Sequence, residues 1–110
     1  MSERESRAGP EPLEGGKVEL WLEAAGSDGA RYRATLTTAE GARNGAVRVD
    51  ARGSTTFEPW QPSDPPRWLA DVARALVRAE WRARAGRADA PDWPRRIARW
   101  RAEPEPRGER

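Results

Sequence analysis

The chain is 110 residues long, enough for one domain with one modest core. Charged residues make up 35% of it against 36% hydrophobic, and it has no cysteine and no histidine. That composition excludes disulfides, thiol nucleophiles, imidazole bases and the usual transition-metal ligands.

Six tryptophans argue against a wholly disordered chain, because disordered segments are poor in aromatics. All but one of the 20 basic residues are arginine, Lys17 being the exception. Arginine and alanine in such numbers are also what a GC-rich coding sequence yields without selection for a ligand. The distribution of charge is more telling than the total of +2: residues 1–66 are net −3 and residues 67–110 net +5. Positive potential on the second half would draw an acidic partner or a phosphate backbone.

In chain order, residues 1–16 mix Glu, Arg, Gly and Pro without periodicity and read as a disordered leader. "KVELWLEAA" alternates, with Val18, Leu20 and Leu22 on one side and Glu19, Trp21 and Glu23 on the other, the period of a half-buried strand. "GSDG" at 26–29 is turn chemistry, and "RYRATLTT" alternates again through Tyr32, Ala34 and Leu36. A loop containing Asn44-Gly45 is expected next, then "AVRVDAR" with Val47, Val49 and Ala51 inward. Gly53 reads as a bulge, after which "STTFEPW" extends that strand or forms a short fourth one.

"QPSDPPRW" is a stiff connector in which Ser63 or Asp64 caps a helix predicted over about 65–85 and stopped at Gly86. On that helix Trp68, Leu69, Val72, Leu76, Ala79 and Ala83 form the predicted core stripe, and Val77 and Trp81 a second patch on the far side. Trp93, Ile97 and Trp100 at i, i+4 and i+7 predict a second helix over 93–101 that docks on Val77 and Trp81. Arg95, Arg96 and Arg99 then face outward, and residues 102–110 form a flexible tail. The fold expected is α+β: one domain over 17–101, an antiparallel three- to four-stranded meander over 17–58, packed by a long helix and a short final one.

No catalytic, cofactor or metal constellation emerges. Lys17 has no serine at a telling spacing, "GSDG" lacks the lysine and helix of a phosphate loop, and no acidic run has calcium-loop spacing. The function expected is therefore non-enzymatic: a small protein-interaction module, an adaptor, regulator or self-assembling subunit. Its partner is another protein chain or a second copy of this one, bound through exposed Trp and Arg or through open strand edges. The alternative is a nucleic-acid-binding protein that uses the Arg/Trp-rich second half and the outer sheet face. Candidate partner-binding residues are Trp21, Arg33, Arg48, Arg74, Arg78, Trp81, Arg95, Arg96 and Arg99. No cofactor is expected. The charged start and the lack of a long apolar run argue against a membrane and for the cytoplasm.

Overall fold

The computed structural model describes residues 15–104. In chain order they form β1 (Gly15–Gly26), β2 (Gly29–Thr38), β3 (Gly41–Asp50), β4 (Thr55–Gln61), α1 (Arg67–Arg84) and β5 (Arg96–Ala102). The class is α+β, with five strands where three or four were expected and one helix where two were. Of the expected disordered leader, residues 1–14 lie outside the described residues, and Gly15 and Gly16 open β1. Of the expected tail, 105–110 lie outside them too, and Ala102 ends β5.

β1 to β4 are the predicted meander, paired antiparallel with neighbours, and β5 adds to the free side of β1, giving the order β4-β3-β2-β1-β5. The alternation read from the sequence places Val18, Leu20, Tyr32, Ala34, Leu36, Val47 and Val49 in the core. Asn44-Gly45 is not a loop: both lie within β3, and the β2–β3 turn comes earlier, at Ala39–Glu40. Gly45 suits the strand because Trp60 of β4 lies flat against it, where a Cβ would come within 2.6 Å of the indole. Ala51 is exposed in the β3–β4 turn instead of facing inward. Gly53 is the positive-φ residue of that turn (φ +89°) and not a bulge in a strand.

The helix is where the sequence puts it but faces another way. It begins behind Pro66 with no side-chain cap, so neither Ser63 nor Asp64 caps it, and it ends ahead of Gly86 (φ +74°) as expected. Its buried line is Leu69, Ala73 and Val77, with Trp81 half-buried at the end. Trp68, Val72 and Leu76 flank that line half-buried, while Ala79 and Ala83 are exposed. Relative to the predicted stripe, α1 is turned by roughly a quarter of a revolution at 100° per residue. Lying across β1, β2 and β3, the helix engages apolar residues on both sides of the contact line, so the two predicted patches merge into one face. Ala73 at its centre lets the helix approach closely.

The second predicted helix is a strand. A nine-residue helix is marginal by itself, whereas β1 would otherwise leave a row of backbone groups unpaired beside the core. Strand pairing satisfies that row, buries Ile97 opposite Leu20 and sends Trp100 to the opposite face. Trp93, just before β5, packs on Tyr32 (ring centroids 6.4 Å apart) and under Arg84. No described helix is long and apolar enough to cross a membrane.

Candidate functional site

α1 covers one face of the sheet, and no described element covers the other. The register defines that open face. Trp21 of β1 lies directly between Arg33 of β2 and Arg96 of β5, and the row continues to Ala46 of β3 and Glu58 of β4. The guanidinium carbons of Arg33 and Arg96 stand 4.9 Å and 6.0 Å from the centroid of the Trp21 ring. Both distances are within the range of cation–π attraction.

Carboxylates hold these cations in place. Glu19 accepts from Arg96 at 2.8 Å and lies 3.6 Å from Lys17, and Glu23 lies 3.9 Å from Arg33 and also pairs with Arg31. Glu58 takes Arg31 in a two-pronged bond of 2.7 Å and 2.8 Å and sits 4.0 Å from Arg48. The Arg31 bond holds the Glu58 carboxyl below its ordinary range and pushes the guanidinium up. Two rows away, past Glu19 opposite Ala98, Trp100 stands opposite Lys17 and is 52% exposed, the largest exposed hydrophobic side chain among the described residues.

The structure sorts the sequence-predicted candidates. Trp21, Arg33, Arg48 and Arg96 share the open face. Trp81 belongs to the core-facing side of α1 instead: its ring lies over Gly53 and its Nε1 donates to the Ala51 carbonyl at 3.3 Å. Arg74 is half-buried, with its guanidinium 4.9 Å above the Phe57 ring, and Arg78 is exposed on the side of α1 away from the sheet. Arg95, Arg96 and Arg99 do not form one outward helical surface. On a strand Arg96 goes to the open face, and Arg95 and Arg99 to the side that bears Ile97. Trp100 and Glu19 were not among the candidates: the alternation of "KVELWLEAA" put Glu19 on the side of Trp21, while the only signal for Trp100 was the alternation of "RIARWRA", which carries a single inward apolar residue.

An open cleft of about 750 Å³ lies at one end of the sheet, between the β1–β2 turn and the 86–95 segment, with Trp81, Arg84 and Trp93 in its wall. Burial, with the negative charge of Glu80 nearby, pushes the Tyr32 phenol up to about 12, while the Ser54 and Arg52 amides hold the Asp50 carboxyl low. No group of three or more Asp or Glu among the described residues is placed to hold a metal. No known family model, curated protein or solved structure matches the chain.

Proposed function

We propose that the protein is a non-enzymatic interaction module that docks another protein chain on the open face of its sheet, centred on Trp21. The observation that carries the reading is the row Arg33–Trp21–Arg96, an aromatic held between two guanidiniums on a face no described element covers. Trp and Arg are the residues that dominate interface hot spots. Ion pairs from Glu19 and Glu23 already restrain these arginines, so docking sacrifices less side-chain freedom.

A second reading, single-stranded nucleic acid, draws on the same row, because an aromatic among arginines on an open sheet can stack an unpaired base. The carboxylates of Glu19, Glu23 and Glu58 among the cations of that face favour a protein of mixed charge over a phosphate backbone.

The test is cross-linking of proteins bound to the wild type and to Trp21→Ala, followed by calorimetry with each purified partner and sedimentation of the protein alone. The reading requires a protein, or a second copy, whose affinity falls about tenfold or more with Trp21→Ala. Partners indifferent to Trp21→Ala, or a labelled oligonucleotide bound with a steep salt dependence in their place, would overturn it.

A further inference from the structure

We propose that the free edge of β5 accepts an acidic, extended segment of a partner protein as a sixth strand. This rests on reading the protein as an interaction module and specifies the chemistry of what it binds. The Leu22 amide donates to the Arg95 carbonyl at 2.9 Å, and the same register runs from Trp21 opposite Arg96 to Gly15 opposite Ala102. Antiparallel pairs alternate, so Ile97, Arg99 and Arg101 turn their backbone groups toward β1. The N–H and C=O groups of Arg96, Ala98, Trp100 and Ala102 point off the end of the sheet, where no described strand lies. The opposite edge is blunted: β4 contains Pro59, which has no N–H, and its pairing slips between Asn44 and Ala46.

Two arginines guard the β5 edge. Arg99 Nη1 donates to the Ala98 carbonyl at 2.7 Å and Arg101 Nη1 to the Trp100 carbonyl at 3.1 Å. Among the described residues neither guanidinium has a carboxylate within ion-pair distance, unlike Arg96 on the open face. The carbonyls they cover are among those an added strand must reach. A carboxylate beside them draws the guanidiniums off and frees the carbonyls in one exchange of partners, an arginine–carboxylate ion pair replacing a bond to a neutral carbonyl. A neutral or basic strand leaves them covered.

The same charges argue against a second copy of β5 as the occupant. Residues 95–101 hold four arginines and no acid, and pairing two copies sets those clusters side by side. The two faces of an added strand want different residues. Positions beside Arg99 and Arg101 are acidic, and the alternate positions are apolar, lying against Trp100 with its 52% exposure.

The probe is a short labelled peptide of alternating glutamate and valine, capped at both ends, titrated against the full chain by anisotropy. A lysine–valine peptide and a short oligothymidylate are titrated in parallel. Ala98→Pro removes an amide that faces away from β1, so thermal unfolding stays close to wild type while strand addition is blocked. The Arg99→Glu/Arg101→Glu variant tests the charge if the proline variant fails to fold. The proposal expects the acidic peptide to slow exchange of the Ala98 amide and to bind about tenfold more weakly to either variant. It also expects the lysine peptide to bind only the charge-reversed chain. No binding of the acidic peptide, equal binding of both peptides, affinity unchanged by both variants, or tighter binding of the oligothymidylate overturns it. Any of these, with a protein partner still lost on Trp21→Ala, removes strand addition alone. A partner indifferent to Trp21→Ala removes the module reading, whatever β5 does.

Discussion

The guanidinium of Arg84, at the end of α1, lies 5.0 Å from the centroid of the Trp93 ring and donates to the carbonyls of Pro91 (3.0 Å) and Asp92 (2.6 Å). It also donates to Glu80, at the backbone carbonyl (2.6 Å) and at the carboxylate (2.9 Å), and its side chain is only 11% exposed. One arginine thus ties the last turn of the helix to the segment that leads into β5. Arg84→Ala is expected to cost about 2–4 kcal/mol, the worth of several charge-assisted bonds lost together. Arg84→Lys should recover less than half, because an ammonium cannot fork across two carbonyls. Urea unfolding measures both, and a loss for Arg84→Ala within about 0.5 kcal/mol would refute the tie.

Gly53 and Trp81 make a second joint of this kind. At φ +89° Gly53 sits in a backbone region L side chains avoid, and a Cβ there would meet the Trp81 ring at 2.8 Å. Gly53→Ala should destabilise the protein by about 1–3 kcal/mol. In the Gly53→Ala/Trp81→Ala double variant the clash disappears and only the backbone strain remains, so the two losses sum to more than the double variant shows. Strict additivity in thermal or urea unfolding would mean that the ring does not rest on the glycine.

Tyr32 is the only tyrosine, so its titration can be read directly by phenolate absorbance. Its ring is fully buried and its hydroxyl donates to the Pro94 carbonyl at 2.6 Å. The phenol is pushed up from 10.0 to about 12, which means that the fold favours the protonated form. Stability is therefore complete below pH 10 and declines as pH rises toward 12, the unfolded chain ionising first. Tyr32→Phe should abolish the absorbance step and that part of the alkaline loss of stability. A phenol titrating near 10 in the folded protein would contradict the burial.

The acid limb has the opposite sign. Glu58, bonded to Arg31, and Asp50, bonded to the Ser54 and Arg52 amides, both titrate below their ordinary values of 4.5 and 3.8. Their contribution is present above those values and fades as pH falls through the lowered ones. Asp50→Asn and Glu58→Gln should each lower stability at neutral pH and flatten its decline in acid. A variant whose acid limb stays as steep as wild type would rule that residue out as a contributor.

Trp60 and Trp100 separate packing from surface. Trp60 is 9% exposed, against Gly45 and Phe57, and Trp60→Ala should cost about 3–5 kcal/mol. Trp100 is 52% exposed, and Trp100→Ala should stay within about 0.5 kcal/mol of wild type. A large loss at position 100 would mean that the indole is a packing residue instead of a contact surface.

β1, β2, the second half of β3 and the limits of α1 were legible because each carries several apolar residues at its own period, bounded by turn or breaker residues such as Ser27-Asp28 and Gly86. The first half of β3 read as a loop, and β4, with Phe57 and Trp60 three residues apart, read equally as an extension of β3. The same alternation put Trp21 on the face away from Val18 and Leu20, and Arg33 and Arg48 beside it. β5 was not legible: Trp93, Ile97 and Trp100 fit a helical spacing, while as a strand "RIARWRA" offers Ile97 alone to the core.

Composition and local periodicity by themselves determined the class of the protein, its meander and helix, and the lack of any histidine or thiol chemistry, because these follow from residue types and short-range spacing. Tertiary structure alone decided three things. The unpaired edge of β1 recruited residues 96–102 as a strand. Packing across β1, β2 and β3 set α1 on Leu69, Ala73 and Val77. The arginines of the last segment were then divided between an open face and a free edge. Each depends on backbone groups and surfaces that exist only once distant parts of the chain have met.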